Sequence, residues 1–154
     1  MVNTQIMKLK IIIAILFLIF ASGSLQASSV RIGGYDVEKI VASTLDLLNT
    51  KSMVSLEDIK KLQEDVNLQN STDPLIAGSS LVDFYNKLDE LLVKKNIISI
   101  EDVNSIKEKS SRSGGVKIGG LNPVVLAALH LDLLVKKNIT DIKTAQSILD
   151  EAKK

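Results

Sequence analysis

The heptapeptide Leu-Leu-Val-Lys-Lys-Asn-Ile occurs at residues 91–97 and again at 133–139, 42 positions apart. It is the visible part of a longer period. VRIGGYD (30–36), PLIAGSS (74–80) and VKIGGLN (116–122) align at offsets of 44 and 42. The same offsets bring LDLLNTKSMVSLEDIKKL, DELLVKKNIISIEDVNSI and LDLLVKKNITDIKTAQSI, from Leu45, Asp89 and Leu131, into register without a gap. A period of this length means one supersecondary unit written several times, with neighbours supplying burial that none achieves alone. The units run over 30–70, 74–112 and 116–154.

The aligned columns predict two helices per unit. Asp36, Ser80 and Asn122 form one column, and Ser55, Ser99 and Asp141 another. All six are residue types whose side chains accept from the unpaired N–H groups of a helix's first turn. Pro123 stands at a first helical position, where its missing N–H is not needed. Asp83, Asp58 and Asp102 follow Ser80, Ser55 and Ser99 by three, the capping-box spacing. The longer helix is predicted over 37–51, 81–95 and 123–137, and the shorter over 56–67, 100–110 and 142–152. In the linking turn the lysines suit the helix C-terminus, Asn96 and Asn138 suit a left-handed residue, and Ile97 and Ile139 plug the hairpin from below.

Apolar residues recur at helical spacing. In the long helices the inward stripe is Val37, Ile40, Val41, Thr44, Leu47 and Leu48, then Leu81, Phe84, Tyr85, Leu88, Leu91 and Leu92. In the short helices it is Leu56, Ile59, Leu62 and Val66, then Ile100, Val103 and Ile106, then Ile142, Ala145, Ile148 and Leu149. The expected fold class is all-α: three tandem two-helix hairpins of about 42–44 residues, packed as a small bundle or a short array.

The ends and the composition set the cellular expectation. Lys8 and Lys10 precede an apolar run from Ile11 to Ala21 and then SGSLQA. That order is a secretory signal peptide, expected to be cut after Ala27, with Ala21–Ser24 a competing cut site. Eleven apolar residues make a helix of about 16 Å, short of the ~20 residues a bilayer core requires. Residues 28–154 would then form the folded domain, with net charge −1. Near-neutrality gives no electrostatic pull toward nucleic acid or anionic lipid. With no cysteine in the chain there are no disulfides and no thiol chemistry. Asn70 and Asn138 head glycosylation sequons. The chain is expected to be exported, periplasmic or secreted, and its Lys- and Ile-rich bias points to a bacterium.

Candidate chemistry is sparse. Ile32-Gly33-Gly34 and Ile118-Gly119-Gly120 precede helices, where anions bind. No GK[ST] or GxGxxG follows, and no strand is evident before them, so they read as glycine turns. His130 is the only histidine and falls on the inward stripe, in the column of Thr44 and Leu88. With no second histidine, no cysteine, and Asp132 on another face, it reads as a packed, hydrogen-bonded core residue. His130→Leu is therefore expected to leave stability unchanged or raise it. No catalytic, cofactor or metal set can be assembled, so the chain is read as non-enzymatic and without cofactor.

One departure from symmetry stands out. Val124, Val125, Ala128, Leu129 and Leu131 occupy positions where the second unit has Val82, Asp83, Asn86, Lys87 and Asp89. A helix apolar all round is either central or a contact face. These five residues form the candidate interface for a protein partner or for self-association.

The stretch from Leu91 to Lys107, LLVKKNIISIEDVNSIK, resembles the SHOCT (short C-terminal domain) motif: a helix, a small turn, an acidic start and a second short helix. The resemblance covers about 20 residues of each unit. Asn96 stands for the family's usual glycine and Val103 for its usual aromatic residue, and three tandem copies depart from its usual single one. The resemblance implies an assembly or interaction element without catalysis. Together these readings predict an exported interaction, assembly or structural protein of the cell envelope. The alternative is a carrier holding an apolar small molecule between hairpins, against Leu88, Leu91 and Leu133.

Overall fold

The computed structural model describes residues 31–66 and 74–154. The expected signal segment, its cut site and the Asn70 sequon lie outside the described residues. Helices form where the capping and periodicity place them: α1 (Val37–Thr50), α2 (Leu56–Val66), α3 (Pro74–Lys94), α4 (Ile100–Arg112), α5 (Pro123–Lys136) and α6 (Ile142–Lys153). The protein is thus a helical bundle, with one small ribbon of β1 (Arg31–Ile32) and β2 (Tyr35–Asp36). Among the described residues no helix is long and apolar enough to cross a membrane.

Five of the six expected caps form. Asp36 accepts from Lys39 N, Asn122 from Val124 N and Val125 N, and Asp141 from Thr144 N. Ser55 with Asp58, and Ser99 with Asp102, close full capping boxes. Ser80 is the exception. It lies inside α3, which begins at Pro74, seven residues before the expected start at 81. The cause is local: Ala77 stands where the other two units have the first glycine of a pair, so the unit lacks the two adjacent glycines on which the turn depends.

Where the glycine pair is intact it makes a hairpin rather than a plain loop. Gly33 and Gly34 have φ of +58° and +83°, and Gly119 and Gly120 have +58° and +80°. Two successive positive φ angles match the twist of paired strands. Hence Arg31 pairs with Asp36, Ile32 with Tyr35, and Ile118 with Leu121. The strand absent from the sequence reading is too short to show a period.

The three long helices end alike. Ser52, Asn96 and Asn138 take φ near +59°. The next N–H reaches back across the turn, from Met53 to Leu48 O, from Ile97 to Leu92 O and from Ile139 to Leu134 O, at 2.8–2.9 Å. This is the Schellman closure, and it sets Ile139 into the core and Ile97 and Met53 against it.

Packing joins each short helix to the next unit's long helix. α2 packs on α3, α4 on α5, and α6 returns to α1. The first and last helices therefore close a ring. The corners are tied in the same sense: Lys95 bridges to Asp58 and Lys137 to Asp102, both at 2.9 Å. At the third corner the Asp141 carboxyl is held below its ordinary range, first by the Thr144 N–H, with the charge of Lys51 contributing. At the seam, Arg31 donates to Lys153 O at 2.8 Å, and the Lys153 ammonium stands 5.4 Å from the Tyr35 ring centre.

α5 is the hub and touches α1, α3, α4 and α6. The inward stripes of α1 and α3 are buried, with Leu91 half-buried, and so are the aligned α5 residues Leu126, Ala127, His130, Leu133 and Leu134. Full burial of each such side chain contributes roughly 1.5–3 kcal/mol. The short helices depart from expectation at their first apolar column. Leu56, Ile100 and Ile142 are 46%, 62% and 74% exposed. Each is the first residue of its helix, where the chain has not yet turned toward the core.

Candidate functional site

The polar chemistry of the core gathers where α3 meets α5. Asp89 on α3 and His130 on α5 are each 3% exposed. His130 Nε2 lies 2.6 Å from Asp89 Oδ1, and His130 Nδ1 lies 2.7 Å from Leu126 O, one turn back on its own helix. A carbonyl oxygen only accepts, so Nδ1 carries a hydrogen and donates to Leu126. The short Nε2–Oδ1 contact then requires one proton between the two atoms, whichever of them holds it. The pair is neutral as a whole, which is what its burial demands.

Tyr85, one turn before Asp89, lies against the imidazole with ring centres 4.4 Å apart and planes tilted by 33°. Burial, and then the charge of Asp89, push its phenol well above the ordinary tyrosine range, with the Thr44 side chain acting the other way. The Tyr85 hydroxyl and Asp89 Oδ2 make no hydrogen bond of ordinary geometry. Thr44 is itself buried and donates to Ile40 O at 2.7 Å.

This arrangement corrects two readings. Asp89, aligned with the candidate interface residue Leu131, faces the core as Leu131 does. And His130 has an ionisable partner, so replacing it by leucine alone strands a buried carboxyl. The signal was present in the columns: Asp89 shares its position with Leu45 and Leu131, both at the core. An acid in an otherwise leucine column marks an inward site that needs a partner. That partner lies 41 residues away on another helix, beyond any local period.

The chemistry open to the pair is narrow. An imidazole held by a carboxylate serves catalysis when its other nitrogen faces a nucleophile or a metal. Here the other nitrogen faces Leu126 O, so neither is free to take a proton from a substrate. Among the described residues, no group of three or more His, Cys, Asp or Glu side chains is arranged to hold a metal ion.

The candidate interface residues are placed as follows. Leu131 is buried at 1% exposure. Val124 and Leu129 are half-buried against the core. Val125 and Ala128 are half-buried. Of the residues expected to line a carrier site, Leu88 and Leu133 are buried in the core and Leu91 packs against it. A shallow depression of about 450 Å³ lies elsewhere, lined by Ser43 of α1 and by Lys143, Thr144, Ser147, Ile148 and Glu151 of α6.

Comparison with known proteins found no matching family model, no matching curated protein and no matching solved structure.

Proposed function

We propose that this protein is an exported, non-enzymatic helical module that binds another protein at the cell envelope. One observation carries the reading: the first residue of every short helix is a large aliphatic side chain left in solvent, Leu56, Ile100 and Ile142. The neighbouring exposed columns vary freely between units, as in Glu57, Glu101 and Lys143, or Lys60, Asn104 and Gln146. Retention of an aliphatic residue at an exposed position through three diverged copies has no explanation in packing, and exposed apolar groups kept together mark contacts. Asp58 and Asp102, which bridge to Lys95 and Lys137, and Asp141, which feels the charge of Lys51, stand within two residues of these side chains. Val125 and Ala128 are the part of the α5 face left for such a partner. The full occupation of both His130 nitrogens and the SHOCT resemblance favour binding over chemistry.

The test is a pull-down from the envelope fraction with residues 28–154, repeated with Leu56→Lys/Ile100→Lys/Ile142→Lys. The wild type should retain a specific protein that the variant loses while keeping its helical circular dichroism. Equal retention by the two would remove these three side chains from the reading.

A further inference from the structure

The seam between α6 and α1 is built as a copy of a joint inside the chain. At the α4–α5 joint the Lys117 ammonium donates to Ser111 O, in the last turn of the short helix. At the seam the Arg31 guanidinium donates to Lys153 O, in the last turn of α6. Arg31 and Lys117 share one column of the repeat, and Lys153 and Ser111 share another. The two joints are therefore in the same register. They differ in how they are held. Residues 113–122 run directly from α4 into α5. At the seam α1 comes first in the chain, and the bonded residues are 122 positions apart. We propose that this joint also forms between two copies of the chain, with α6 of each copy docking on α1 of the other to give a dimer with exchanged helices.

A second copy fits the site because it carries the same α6. It restores the contacts of α6 with α1, α5 and β2, the Arg31 bond and the placing of Lys153 over Tyr35. Reciprocal exchange also satisfies both seams at once, so the assembly closes and leaves no open end. α6 is the short helix that gives up least on leaving. α2 buries Ile59 and Leu62, and α4 buries Val103 and Ile106, but the buried residues of α6 are Ala145 and Ala152. Ile148 and Leu149 are only partly buried. The cost of release scales with the apolar area uncovered. The open depression lined by Ser43 of α1 and by five residues of α6 lies on this same seam.

The hinge is the turn of residues 137–141. In the closed turn Asn138 is left-handed, with φ of +59°, and Ile139 N–H bonds to Leu134 O. Straightening the turn frees Asn138 from that conformation and carries α6 away from its own α1. A short tether holds α6 over its own α1 at an effective concentration in the millimolar range, on the order of 1 mM. A second copy therefore competes at about that concentration, or lower where the closed turn is strained.

The test refolds the full chain over a range of concentrations up to about 1 mM and reads mass by light scattering after size exclusion. A dimer should appear at the upper end. Asn138→Val penalises the closed turn by roughly tenfold in each chain, so the midpoint of dimer formation should fall by about a hundredfold. Asn96→Val places the same lesion in the α3–α4 turn and should leave the midpoint unmoved. In a dimer of one isotope-labelled and one unlabelled chain, filtered nuclear Overhauser contacts should join Ile148 of one copy to α1 of the other. A chain that stays monomeric throughout would overturn the proposal. So would a dimer whose α1–α6 contacts remain within each copy, a readout on the wild type that does not depend on either variant folding.

Discussion

His130 Nε2 lies 2.6 Å from Asp89 Oδ1 across the α3–α5 contact, and the two residues are buried to the same degree. Neither is tolerable there without the other. The equivalent positions in the other units are Thr44 and Leu88 for the histidine, and Leu45 and Leu131 for the aspartate. The pair is therefore one paired substitution in an otherwise nearly apolar layer.

His130→Leu alone should destabilise the protein by about 3–5 kcal/mol near neutral pH, because it leaves a buried acid unpaired. Asp89→Leu/His130→Leu, which copies leucines from the sister columns, should recover most of that loss. Urea unfolding of the four proteins in the cycle measures the coupling, and additive single-variant effects would deny it.

The capping aspartates give the fold a pH signature. The Asp58 carboxyl is lowered first by the Ser55 backbone N–H and then by Lys95, and the Asp102 carboxyl first by Lys137 and then by the Ser99 backbone N–H. A lowered carboxylate stabilises above its unfolded value and loses that contribution as pH falls through its folded value. Asp58→Asn and Asp102→Asn should each cost roughly 0.3–1 kcal/mol at pH 7. The difference from wild type should close as the pH drops below about 3.9, read by thermal unfolding at several pH values.

Ser52 occupies the left-handed position that Asn96 and Asn138 fill in the other turns. Ser52→Gly should raise stability by a few tenths to about 1 kcal/mol, and Ser52→Val should lower it by about 1–2 kcal/mol. Calorimetric melting temperatures of the two variants should move in opposite directions.

Leu129 separates a hub from a free face. Leu129→Lys drives a charge into a helix that four others touch, and should abolish cooperative unfolding along with most of the helical signal. A folded but dissociated species by light scattering would instead return α5 to the role of contact surface.

Ring closure makes the last helix structural for the first. Deleting residues 142–154 uncovers α1 and removes the anchor of Arg31. Circular dichroism should fall by more than the share of the one lost helix. A loss confined to that share would describe independent hairpins.

Helix number, cap chemistry and the left-handed turns were legible because each is written within four or five residues. Ser99 and Asp102, or Asn96 and Ile97, carry their own geometry. What escaped depends on distance or on a single changed letter. Ala77 in place of glycine lengthened α3 by two turns. Leu56, Ile100 and Ile142 fit the apolar period yet sit one residue too early to turn inward. The Asp89–His130 pair needs the α3–α5 packing before it has meaning, and no local pattern supplies that.

The return of α6 to α1 also orders events in time. α1 packs on a helix that begins about 90 residues after α1 ends, the longest separation in sequence of any packed helix pair in the bundle. Contacts so far apart in sequence are slow to form. The ring therefore closes through its longest-range contact, and the core stays open along α1 until α6 docks.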